Sequence, residues 1–132
     1  MNKIGVGWMP GILVFRASNL AVNASSTMTV SIDKTIQFKA FAMTGYAHQN
    51  GAAGTTGYFT LDSFKLGSYA RKIIYGNALH SNYFNRFTAM PVRFEGEVWE
   101  NTDIEIIVTN VSSAIAIDVY IVINGLQKQV GS

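Results

Sequence analysis

The stretch "EGEVWENTDIEIIVTN", Glu95 to Asn110, contains five of the chain's eight acidic residues within eleven positions. Its alternation decides whether those carboxylates do chemistry or line the wet side of a strand. Ile104, Ile106 and Val108 fall on one side of an extended chain, and Asp103, Glu105 and Thr109 fall on the other. A period of two is the signature of a half-buried strand. Paired catalytic carboxylates need one member desolvated, so that its pKa rises. The alternation instead puts these side chains on a polar face, with Glu95, Glu97 and Trp99 sharing one side of the preceding run. "ENTD" between the two runs reads as a turn, because Asn and Asp bond their own backbone and tolerate left-handed conformations. The cluster is therefore read as a solvated face, with an acidic partner-facing patch as the alternative.

The same period recurs on either side of this stretch. Met28, Val30 and Ile32 alternate with Thr and Ser, and the pattern resumes after Asp33-Lys34 with Ile36 and Phe38. Near the C-terminus Ile117, Val119, Ile121 and Ile123 share a face, while "GYFTLDSFKLG" and "RKIIYGN" are further strand candidates. No sustained apolar stripe of helical spacing occurs, and 12 glycines punctuate the chain. About eight short strands separated by such breaks predict an all-β fold, an antiparallel β-sandwich or barrel. The 132 residues suffice for one domain with its own core.

Composition narrows the function classes. Apolar residues make up 48% and charged residues 14%, against about 25% charged in an average soluble domain. So few charges suggest either that a partner subunit covers part of the surface or that the surface is rich in Ser, Thr and Asn. The net charge of +2 is small and the basic residues are scattered, which argues against a nucleic-acid partner. No run of about 18 apolar residues predicts a membrane-crossing helix. With no cysteine there is no thiolate nucleophile and no cysteine metal site. Lys3, "GILVF" and "VNA" before Ser25 imitate a signal peptide, but Pro10, Gly11 and Arg16 interrupt its apolar part, so no cleaved leader is expected.

Candidate sites are few. His48 and His80 lie in Gly/Asn-rich breaks without the local spacing of a zinc site, and no G-x-S-x-G elbow is present. No cofactor, no metal and no enzymatic activity are expected. "GYAHQNGAAGTTGY", Gly45 to Tyr58, lacks the Lys-Ser/Thr ending of a phosphate loop and reads as a mobile connector. Loops on a rigid sandwich often carry binding residues, so Tyr46, His48 and Tyr58 are candidate contacts, with Trp99 as a further stacking surface. In Tyr75 to Pro91, Phe84 and Phe87 read as core and the rest as loop, with the alternative that its aromatics stack on a sugar ring or fill a subunit interface. Asn23-Ala24-Ser25 and Asn110-Val111-Ser112 match the glycosylation pattern by chance. The apolar segment 1–24 either supplies an edge strand from Ile12 to Phe15 or, before Pro10, forms an assembly arm centred on Trp8 that docks on a neighbouring subunit.

From Pro91 onward, a strand, the "ENTD" turn, the Ile104–Val108 alternation, a "VSS" link and the Ile117–Ile123 alternation ending at Gly125 form a pattern. It resembles the closing hairpin of small jelly-roll virion proteins of tailed bacteriophages, of the capsid decoration (cement) and head-fibre type. "GYFTLDSF" is similar to their middle strand. The resemblance covers about a third of the chain. It implies a jelly-roll sandwich and a non-enzymatic structural protein on the capsid exterior. It also implies a homotrimer, or a place at junctions of the major capsid protein. Two other functions compete: a carbohydrate- or receptor-binding sandwich using Trp99 and the tyrosines, and a small enzyme on a cupin-like barrel. The missing histidine ligands disfavour the second of these.

Overall fold

A computed structural model describes residues 7–67, 78–85 and 91–130. The described chain is all-β. In order it runs through β1 (Met9–Leu20), β2 (Ser25–Gln49), β3 (Ala52–Thr56), β4 (Phe59–Leu66), β5 (Leu79–His80), β6 (Val92–Asn110) and β7 (Ile117–Gln129). A single 3-10 turn, Ser81–Tyr83, follows β5. The strands form one antiparallel sheet in the order β1-β7-β2-β6-β4-β5, with β3 paired to the end of β2. The expected strand at "RKIIYGN" lies outside the described residues, as does Phe87, and this pairing order does not by itself establish jelly-roll winding.

The 25-residue β2 organises the sheet. Its first part, Ser25 to Ile32, pairs with β6. Its middle, Gln37 to Met43, pairs with β6 on one edge and β7 on the other. Its last part, Thr44 to Gln49, pairs with β7 and then with β3. The sheet therefore divides along β2 into a β4–β6 half and a β1–β7 half, and it folds so that the two inner faces meet. Phe59 of β4 shows this directly: its ring lies where a Cβ on Gly45 of β2 would be, although β6 separates the two strands in the pairing order. The Gly45 N–H donates to the Phe84 carbonyl at 3.2 Å, which ties the segment after β5 to β2.

Between the faces lies one core of aliphatic and aromatic side chains. The expected inner set, Ile104, Ile106, Val108, Val119, Ile121 and Ile123, is fully buried, as are Phe59, Leu61 and Phe84. Asp103 is exposed, and Glu105 and Thr109 are only half-buried, as the alternation requires.

Three local expectations change. "ENTD" does not reverse the chain: β6 runs through it, with Asn101 at a positive φ of 43°. Its partner β2 shifts register between Ile32 and Gln37 at the same level, so the two strands turn a corner together. Asp33 holds that corner by accepting from the Thr35 N–H at 2.9 Å. Next, β6 and β7 are not a hairpin. They lie on opposite edges of β2, because a strand this long offers both edges to them. The link between them crosses the end of the sheet, where Asn110 donates through Nδ2 to the carbonyls of Leu20 and Ile115. That buried amide also excludes Asn110 as a glycan acceptor. Finally, Gly45 to Tyr58 is not a simple connector: β2 continues to Gln49 and turns at Gly51 (φ 79°) into β3.

Candidate functional site

The outer face of β2 and β7 carries the one concentration of expected contact residues. Met43, Gly45 and Ala47 point into the core, so Thr44, Tyr46 and His48 point outward. On β7 the buried Ile117, Val119, Ile121 and Ile123 leave Asp118, Tyr120 and Val122 on the same outer face. Register then sets the neighbours. Val122 lies opposite Thr44, Tyr120 opposite Tyr46, and Asp118 opposite His48. From the other edge, Arg16 of β1 lies opposite Tyr120.

The rings gather closely. His48 stacks near Tyr120 with centroids 5.6 Å apart and planes inclined by 30°, and Tyr46 lies 6.1 Å from His48. The Arg16 guanidinium sits 5.4 Å from the Tyr120 ring centre. The β2–β3 turn raises a wall beside them, giving a cleft of about 410 Å³ lined by Thr44, Tyr46, His48, Ala53, Tyr120 and Val122. The Tyr46 hydroxyl reaches the Ala53 carbonyl across it at 3.5 Å.

Asp118 anchors one end. Its Oδ1 accepts from the Asn19 N–H at 2.8 Å and from Asn50 Nδ2 at 2.9 Å. Those two hydrogen bonds hold its carboxyl below the usual carboxylate range, against the opposing effect of burial and with help from His48 and Arg16. His48 Nδ1 lies 2.9 Å from the Gln49 carbonyl and 4.0 Å from Asp118 Oδ2. The shorter contact puts a proton on Nδ1, which donates to the Gln49 carbonyl.

The other expected contacts lie elsewhere. Tyr58 packs 5.9 Å from His80, and its N–H donates to Ser112 Oγ at 2.7 Å. His80 caps the 3-10 turn, accepting from the Asn82 N–H. Trp99 is 3% exposed, among Phe38, Phe64 and Phe94, and so presents no stacking face to solvent. Trp8, expected to reach a neighbouring subunit, rests over its own sheet, with Lys39 Nζ 4.4 Å and Lys128 Nζ 5.4 Å from its ring centre.

The acidic stretch is engaged in cross-strand pairs. Glu100 accepts from Gln37 Nε2 at 2.9 Å, Asp103 from Ser31 Oγ at 2.6 Å, and Glu105 lies 3.8 Å from Lys65 Nζ. Among the described residues no group of three potential ligands is placed to hold a metal ion. Sequence reasoning had selected neither Tyr120, Asp118 nor Arg16 for the site. The alternation placed Tyr120 and Asp118 on the outer face of their strand, but only the β2–β7 register brings them to Tyr46 and His48.

Comparison with protein-family models, with curated proteins and with solved structures finds no match for the chain.

Proposed function

We propose that this chain is a non-enzymatic structural protein that works through subunit–subunit contacts, in the setting that the resemblance of its closing strands implies: decoration or cementing of a bacteriophage capsid. The observation that carries the assembly reading is β1. Among the described residues it has a strand partner on one side only, and Ile12 and Val14 on its outer face are 60% and 48% exposed. An edge with free backbone groups and uncharged apolar side chains from Gly11 to Phe15 invites pairing with another chain. Arg16 is the sole charge on this strand, so little opposes such pairing. A homotrimer, seated on the major capsid protein, is the assembly the resemblance favours.

Light scattering on the purified chain tests this. The parent should have the mass of an oligomer, and the Ile12→Lys/Val14→Lys double variant should be monomeric with a similar melting temperature. A parent that stays monomeric at every concentration, and that does not bind capsids lacking it, would overturn the proposal.

A further inference from the structure

We infer that the cleft between β2, β3 and β7 is a binding site for a neutral pyranose, one or two rings of a glycan. Its volume of about 410 Å³ falls in the range of small-molecule sites. Tyr46 and Tyr120 face each other across the β2–β7 register on the solvent side of the sheet, half-exposed rather than packed into the core. Aromatic rings grouped in this way offer apolar surface beside polar tips, which suits the C–H groups and the hydroxyl rim of a sugar ring.

Charge selects among ligands. No charged side chain lines the cleft among the described residues; Arg16 and Asp118 lie beside it, behind Tyr120 and His48. An ion entering it would lose water without gaining a countercharge. A wholly apolar ligand would strip water from Thr44, the Tyr46 hydroxyl and His48 without replacing its hydrogen bonds. A ring of hydroxyls can both donate and accept. The His48 ring adds a polar nitrogen, and the hydroxyls of Thr44 and Tyr46 either donate or accept. The long 3.5 Å contact from Tyr46 to the Ala53 carbonyl is the kind of weak hydrogen bond a ligand hydroxyl can displace. The site lies on the face of the sheet, whereas the β1 edge adds neighbours in its plane, so the two roles are separable.

Saturation-transfer NMR on the full chain tests the inference. The probes are the methyl glycosides of glucose, galactose and mannose, together with N-acetylglucosamine. Mannitol serves as an acyclic polyol without a C–H face, and benzyl alcohol as an aromatic without a hydroxyl rim. At least one pyranose should receive saturation while mannitol and benzyl alcohol do not. Tyr120→Ala should weaken its binding by about tenfold, roughly one lost stacking contact, and Tyr120→Phe should retain it within about threefold. Ala53→Trp, which fills the cleft from the exposed β3, should abolish binding while the melting temperature is kept. If Tyr120→Ala fails to fold, Tyr46→Ala and Ala53→Trp decide in its place. No transfer to any of the four pyranoses, equal transfer to either control, or binding that survives Ala53→Trp would each overturn the inference.

Discussion

Glu105 and Ile106 are neighbours in sequence and opposites in energetics. Ile106 is fully buried, and so is Ile121 on β7. Replacing either with Ala should cost about 2–5 kcal/mol in denaturant unfolding, the usual range for a buried aliphatic that leaves a partly collapsed cavity. Glu105 lies 3.8 Å from Lys65, and both side chains are more than a third exposed. Its replacement by Gln should cost under about 0.5 kcal/mol. Reversed costs would mean that the strand register is off by one residue. Asp118 offers a pH-dependent counterpart. Its folded-state pKa is depressed, first by the Asn19 N–H and then by Asn50, so its ionised form stabilises the fold above the ordinary carboxylate pKa. That contribution disappears as pH falls through the folded value. Asp118→Asn should therefore melt below the parent at about pH 7 and converge with it at about pH 2. A gap in melting temperature that is the same at both pH values would show that Asp118 gains nothing from its partners.

At the scale of elements, alternation made the inner faces legible before any fold was known. Each of the six residues expected inside the last two long strands is buried. The same alternation cannot say which strands are neighbours. The pattern from Pro91 to Gly125 fits a hairpin and equally fits two strands on either side of a third. The choice was made by the length of β2, whose Asp33-Lys34 interruption looked like a break and is instead a corner. Two breaks in the pattern, Asp33-Lys34 and "ENTD", mark bends within a strand and not strand ends. A second bend pairs Glu95 and Gly96, at φ of 56° and 76°, with a register shift around Phe41. Close approach explains two glycines that the pattern only noted as punctuation. A Cβ on Gly45 would lie 2.7 Å from Phe59 Cζ and 2.9 Å from the Phe84 ring, and one on Gly125 would run into the Lys39 carbonyl. Gly45→Ala should destabilise by about 1–3 kcal/mol through overpacking, read from a urea midpoint with unchanged slope. Tyr46, paired across the sheet with Tyr120, should then keep its place; an unchanged midpoint would mean that the two halves of the sheet are not held together at Phe59.

For the whole molecule, the low charge and the β1 edge, unpaired on one side among the described residues, are the features on which the proposed assembly rests. The N-terminal segment refines that picture. Trp8 is held by Lys39 and Lys128 of its own sheet, so removal of residues 1–9 should release those ammonium groups to solvent. Cation–π contacts of this kind contribute about 0.5–1 kcal/mol each when partly exposed. The truncated chain should therefore fold and melt only slightly below the parent. If it also assembles like the parent, recruitment belongs to β1 alone; loss of the oligomer with the melt preserved would assign recruitment to the segment before Pro10.

The placement of β7 between β1 and β2 has a consequence for the order in which the chain can be made. Met9 pairs with Gln127, and Leu20 with Ile117, so the first described strand waits for the last. While the ribosome is still adding β7, β1 has no strand to join and β2 has one empty edge. The apolar residues that β7 will later cover are open to solvent at that stage, which is when a nascent chain is most prone to stick to another. Pairing across nearly the full length of a chain is also slow to find, on the order of milliseconds to seconds in all-β domains. The sheet is thus closed only once β7 has emerged, like a zip drawn from the far end, and β1 is the strand that stays unpaired longest.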